Sequence, residues 1–174
     1  MIAFYTHSGV HTLRVEQELP VDRATLWEFL SRPQNLSEIT PGDMGFKVTT
    51  PLDPGEMYPG QVVTYQVSPF RGIRTSWVTE ITHVRESRYF VDEQRFGPYR
   101  FWHHKHFIEE TGRGVKMTDE VTYKLPLGFL GRMVNGLLVK RRLRHIFEYR
   151  QKVFEDHFGR MPNQPYHPAS CDEL

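Results

Sequence analysis

The chain has 174 residues, 39% hydrophobic and 13% aromatic, which excludes a disordered polymer and is enough for the core of one domain. Twenty-two Lys and Arg stand against 21 Asp and Glu, a formal charge of +1, so a dedicated nucleic-acid binder is not expected. No apolar run reaches membrane-spanning length, "MIAFYTHSGVHTLR" lacks a hydrophobic signal core, and the lone Cys171 has nothing to bridge to. These features point to a cytoplasmic protein without integral membrane association.

In chain order, "VHTLRVEQEL" (10–19) alternates Leu13 and Val15 against Arg14 and Glu16, the pattern of a half-buried strand. Asp22 then caps a short helix over "RATLWEFL" that packs Leu26, Phe29 and Leu30. A second short helix is predicted from Pro33 and ends before Pro41. Six strands follow at 45–50, 60–68, 73–84, 88–96, 100–109 and 114–125, separated by turn stretches such as "PLDPGEMYPG" and "PFRG". Residues 129–158 carry Phe129, Met133, Leu137, Leu143, Phe147 and Phe154 near helical spacing, which predicts one long C-terminal helix that Gly131 and Gly136 weaken at its start. Residues 1–160 are read as one domain and 161–174, with three prolines and no apolar period, as a loosely ordered tail. The fold class is α+β: a seven-stranded curved antiparallel sheet wrapped around the long helix, with two short helices after the first strand.

"FLSRPQNLSEITP" (29–41), "FVDEQRFGPYRFWHHKHFIEE" (90–110), "TDEVTYKLPLGFLG" (118–131) and "IFEYR" (146–150) carry a resemblance that runs from about residue 10 to residue 158. The chain resembles the START-like superfamily, also called SRPBCC or helix-grip, and within it the bacterial polyketide cyclase/dehydrase-like branch. The resemblance implies a hydrophobic cavity between sheet and helix. It leaves the chemistry open, because the fold hosts both catalysts and carriers.

Three histidines fall within "HHKH" (103–106), and strand alternation decides where each points. In the last strand Val115, Met117, Asp119, Val121 and Tyr123 form an inward row, in which Asp119 is the one carboxylate. A turn at Thr111-Gly112 sets Ile108 opposite Val115, His106 opposite Met117, His104 opposite Asp119 and Trp102 opposite Val121. His104 and His106 then face inward, while His103 and Lys105 face water. A loop at Gly97-Pro98-Tyr99 sets Asp92 opposite His104 and Gln94 opposite Trp102. A turn at Arg85-Glu86 sets Phe90, Asp92 and Gln94 opposite Ile81, Thr79 and Trp77.

The candidate catalytic residues are therefore His104, Asp119 and Asp92, an Asp-flanked histidine suited to acid–base work. The candidate ligand-binding residues are Trp77, Thr79, Phe90, Gln94, Trp102, His106, Met117, Tyr123 and Arg150. Arg150 lies near the helix stripe and can reach either the cavity or a sheet carboxylate. "KRRLRH" (140–145) is read as a solvated helix surface, and "TPGDMGF" (40–46) as one side of a cavity mouth. No metal or cofactor is expected, since a His-x-His pair flanked by carboxylates is already satisfied. No nucleophile motif, phosphate loop or cofactor fingerprint is present. The expected function is binding of a small hydrophobic molecule (lipid, polyketide or isoprenoid-like). The alternatives are a cyclase or dehydratase using the His/Asp group, and an interaction module with a filled core. The expected oligomeric state is a monomer or weak homodimer.

Overall fold

The computed structural model describes residues 1–51, 55–70, 73–126 and 138–162. In chain order the elements are β1 (Ile2–His7), β2 (Val10–Leu19), α1 (Arg23–Leu30), 3-10 turns at Pro33–Ser37 and Gly42–Met44, β3 (Lys47–Val48), β4 (Val62–Phe70), β5 (Ile73–Arg85), β6 (Tyr89–Phe96), β7 (Phe101–Thr111), β8 (Gly114–Lys124) and α2 (Lys140–Phe158). Phe129, Met133, Leu137 and the two glycines predicted to open the long helix lie outside the described residues, as does the tail from 163.

The eight strands form one antiparallel sheet in the order β1-β2-β8-β7-β6-β5-β4-β3. This is one strand more than the sequence reading expected. The extra strand, β1, hairpins onto β2 through Ser8 and Gly9, both at positive φ (50° and 75°). That backbone twist suits a two-residue hairpin turn. After β2 the chain leaves the sheet, runs through α1 and the 3-10 turns, and re-enters at the far edge as β3. It then meanders back until β8 pairs with β2. Register shifts between Val67 and Phe70, and at two places between β5 and β6, bend the strands and curve the sheet.

The local signals act as the sequence implies. Asp22 accepts a hydrogen bond from Thr25 N and caps α1, which buries Leu26, Trp27 and Phe29. On α2 the buried residues Leu143, Phe147, Arg150 and Phe154 fall at helical spacing, so a guanidinium stands in an otherwise apolar stripe. The side chains of Gln17 and Gln151 tie α2 to β2: Gln17 Nε2 donates to the Gln151 carbonyl at 2.9 Å, and Gln151 Nε2 donates to the Glu16 carbonyl at 3.2 Å. The helix therefore sits over the β2–β8 side of the sheet. The inner face there is filled core, with Leu13, Val15, Val121, Tyr123, Leu143 and Phe147 in one cluster and Leu19, Leu26, Met117, Phe154 and others in a second. A space is left over β4–β7. At the β7–β8 turn Gly114 has φ +148°, and a Cβ there would collide with the Leu19 carbonyl oxygen, so only glycine fits against the end of β2.

Candidate functional site

That space is a cavity of about 180 Å³. Its apolar lining comes from β4–β7 (Val63, Val67, Trp77, Ile81, Phe90, Trp102), from α2 (Leu143, Ile146, Phe147) and from the segment after α1 (Leu36, Ile39, Met44, Phe46). The loop 40–46 contributes Thr40, Met44 and Phe46, as the sequence suggested for one side of a mouth. Asp92, His104, His106, Thr79, Tyr65 and Arg150 are among its polar lining residues.

The ladders differ from the predicted ones in a regular way. The β7–β8 turn is Gly112-Arg113, so Ile108 faces Met117, His106 faces Asp119, His104 faces Val121 and Trp102 faces Tyr123. The strand has slipped by two residues from the expected register. Two is the side-chain period of a strand, so every residue keeps its face. Asp92 does face His104. On the other side Asp92 faces Ile81, Phe90 faces Val84 and Gln94 faces Thr79, because the β5–β6 turn spans Glu86, Ser87 and Arg88 and a bulge lies between Ile81 and His83.

The two inward histidines lie side by side, ring centroids 3.7 Å apart, and both bridge the same two carboxylates. His104 Nε2 is 3.1 Å from Asp119 Oδ1, and its Nδ1 is 3.3 Å from Asp92 Oδ2. His106 Nε2 is 2.9 Å from Asp92 Oδ2, and its Nδ1 is 2.8 Å from Asp119 Oδ1. All four ring nitrogens lie within 3.3 Å of a carboxylate oxygen, and the two Nε2 contacts, His104 to Asp119 and His106 to Asp92, are hydrogen bonds. The group joins the apolar clusters on either side: Phe90 stacks on His106 at 3.9 Å, and Phe147 meets His104 edge-on at 5.8 Å. Burial opposes ionisation of Asp92 and Asp119, but contact with His104 and His106 outweighs it and holds both carboxyls well below the usual range. Burial likewise opposes a charged His104, yet the Asp92 charge and the Asp119 hydrogen bond prevail and raise its pKa above the ordinary histidine value. Burial, then the Asp92 charge, pushes the Tyr65 hydroxyl far up, so it stays protonated beside Thr79 Oγ1 at 2.7 Å.

Of the predicted site residues, Trp77, Thr79, Phe90, Asp92, Trp102, His104, His106 and Arg150 line the cavity. Four do not. Asp119, 1% exposed, lies behind the histidines. Met117 and Tyr123 share its face but are covered by α1 and α2, in the filled core of the β2–β8 side. Gln94 turns back onto the β6–β7 loop, donating to the Tyr99 carbonyl at 2.7 Å and accepting from Tyr99 N at 3.2 Å. The sequence reading missed Tyr65, Val63 and Val67 on β4. Their alternation in "VVTYQV" was visible, but their place opposite α2 followed only from the sheet order. Arg150 meets both expectations at once, lining the cavity with Nη1 3.9 Å from Asp119 Oδ1.

Asp92, His104 and His106 can each offer one donor atom within 4.8 Å of the others, so three ligands of two types suited to zinc or iron converge here. His106 is already hydrogen-bonded to Asp92 at 2.9 Å and His104 to Asp119 at 3.1 Å, contacts that hold the cluster together without an ion.

No protein-family model matches the chain, and no curated protein matches it. Solved structures do. TTHA0849 from Thermus thermophilus aligns at TM-score 0.64 and 13% identity, covering 84% of this chain and 96% of that one. Protein Ms6760 from Mycobacterium smegmatis aligns at 0.63 and 16%, covering 90% and 98%. Ginseng major latex-like protein 151 from Panax ginseng aligns at 0.63 and 15%, covering 87% and 99%. At these identities the likeness shows the fold alone: a curved antiparallel sheet against a C-terminal helix, the helix-grip arrangement. No helix among the described residues is long and apolar enough to cross a membrane.

Proposed function

We propose that residues 1–160 form one ligand-binding domain, and that its cavity takes up a compact, largely apolar molecule carrying a polar group. The observation that carries this reading is the composition of the wall: a ring of aromatic and aliphatic side chains with a few buried polar groups on one side, the usual make-up of a small-molecule pocket. Size narrows the class. A dry cavity of about 150 Å³ accepts a benzene-sized molecule, so about 180 Å³ suits a body of one or two rings better than an extended lipid chain. A monomer or weak homodimer in a cytoplasmic setting is part of the proposal.

Acid–base catalysis of the cyclase or dehydratase kind is less well supported. A general acid or base must reach the substrate proton within hydrogen-bond distance. The Nε2 atoms of His104 and His106 are instead hydrogen-bonded to Asp119 and Asp92, and each Nδ1 lies within 3.3 Å of the other carboxylate. Asp92 lines the cavity, but a carboxyl held far below its usual range is a weak base. The His/Asp group is better suited to fixing the wall and presenting charge than to transferring protons.

Native mass spectrometry of the protein purified from its own host tests the proposal. The expected spectrum shows one small molecule per chain, lost on denaturation. A bare chain, together with no saturable binding of a neutral two-ring probe such as 2-naphthamide, would overturn it.

A further inference from the structure

Arg150 is a cation buried in the cavity wall with its donors largely unused. It is 8% exposed and stands on the inward stripe of α2 between Phe147 and Phe154. Among the described residues its one ion-pair contact is Asp119 Oδ1, at 3.9 Å, beyond hydrogen-bond distance. That oxygen is already shared by His104 at 3.1 Å and His106 at 2.8 Å, and although Asp119 Oδ2 is buried without a hydrogen-bond partner, Arg150 makes no hydrogen bond to it. The guanidinium packs on the Phe147 ring at 4.9 Å, and its Nε has no hydrogen-bond partner. Trp77, which also lines the cavity and is 8% exposed, has a buried Nε1–H without an acceptor. Buried donors left unmatched cost stability, and a guanidinium presents its donors in a planar fork that fits a carboxylate.

Resting on the proposed binding function, we propose that the polar group of the ligand is a carboxylate, held by Arg150, on a compact ring body. The wall supports both parts of that molecule. Trp77, Trp102, Phe90, Phe147 and Tyr65 offer ring surfaces to an apolar body, and Arg150 offers the cation to its acid. Asp92 and Asp119 do not cancel this preference, since both are bridged by the two histidines.

The probes are 2-naphthoate and its neutral counterpart 2-naphthamide, titrated calorimetrically into the wild-type protein, Arg150→Gln and Arg150→Lys. The wild type should bind the acid at least about tenfold more tightly than the amide, as a charge-assisted hydrogen bond predicts. Arg150→Gln should level the two, and Arg150→Lys should keep part of the preference. Equal binding of acid and amide by the wild type would overturn the carboxylate assignment while leaving the cavity reading in place. An acid preference that survives in Arg150→Gln would overturn the role of Arg150. No saturable binding of either probe would sink the cavity reading and this inference together. If Arg150→Gln melts before it can be titrated, the wild-type ratio and Arg150→Lys decide.

Discussion

His104 reaches Asp119 diagonally across the β7–β8 ladder: its Nε2 is 3.1 Å from Asp119 Oδ1, although the residue directly opposite His104 is Val121 and Asp119 faces His106. The diagonal contact lets one buried carboxylate serve both histidines while Asp92 serves them from the other flank.

Removing His104 should therefore leave Asp92 and Asp119 each short of a partner in a buried site. His104→Ala should destabilise the fold by about 3 kcal/mol, as loss of one member of a buried charged pair does. His103, the sequence neighbour, points outward and pairs with Glu93 at 2.9 Å in a partly exposed site. His103→Ala should cost no more than about 0.5 kcal/mol. Chemical denaturation of the two variants should give clearly separated midpoints. Matching midpoints would mean that the inner cluster carries no strain when broken.

Why the site residues were readable, and the register was not, follows from the same ladder. Side-chain direction depends on parity, and the misplaced turn shifted the pairing by two, so His104, His106 and Asp119 kept the inner face while their partners changed. Turn position depends on backbone conformation at single residues. Gly114 at φ +148° moves the β7–β8 turn one residue along, and Ser87 at φ 56° opens the β5–β6 turn to three residues. Neither conformation is visible in side-chain alternation. Ser8-Gly9 was a legible turn signal that would have revealed β1. Met117 and Tyr123 were assigned to the cavity because they share the inner face. The placement of α2 over β2 and β8 rests on contacts between segments far apart in sequence, such as Gln17 with Gln151, 134 residues apart, and leaves no local trace.

Stability should peak in mildly acidic solution. The raised folded pKa of His104 means that its contribution is full below about 6.5, the unfolded value, and fades as pH rises through the folded value. The lowered carboxyls of Asp92 and Asp119 contribute fully above about 3.9 and fade as pH falls. Thermal melts from pH 3 to 9 should show both limbs, and His104→Ala should flatten the alkaline one. An alkaline limb of unchanged size in that variant would contradict the assignment.

Gly114 should not tolerate a side chain, whereas Gly112 should. A methyl group at 114 meets the Leu19 carbonyl and forces a strained φ, which should cost about 1–3 kcal/mol. At Gly112 a Cβ has nothing within 4 Å. Melting temperatures of Gly114→Ala and Gly112→Ala compare the two directly, and equal losses would place the turn elsewhere.

Metal should be dispensable for folding and for ligand uptake, because each histidine is already hydrogen-bonded to a carboxylate through Nε2, with the second carboxylate within 3.3 Å of Nδ1. Extensive chelation should leave the melting temperature and the affinity for 2-naphthamide unchanged. Near-stoichiometric zinc or iron in the purified protein, lost in His104→Ala, would show that Asp92, His104 and His106 serve as ligands instead.

The indole protons give the sharpest reading of where a ligand goes. Trp77 and Trp102 line the cavity, whereas Trp27 packs in the α1 cluster with its Nε1 bonded to Glu56 Oε2 at 3.3 Å. In an ¹⁵N-correlated NMR titration with 2-naphthamide, the Trp77 and Trp102 indole signals should shift together along one saturating curve while Trp27 stays in place. Signals that never saturate, or a Trp27 shift as large as the other two, would contradict binding in the cavity between β4–β7 and α2.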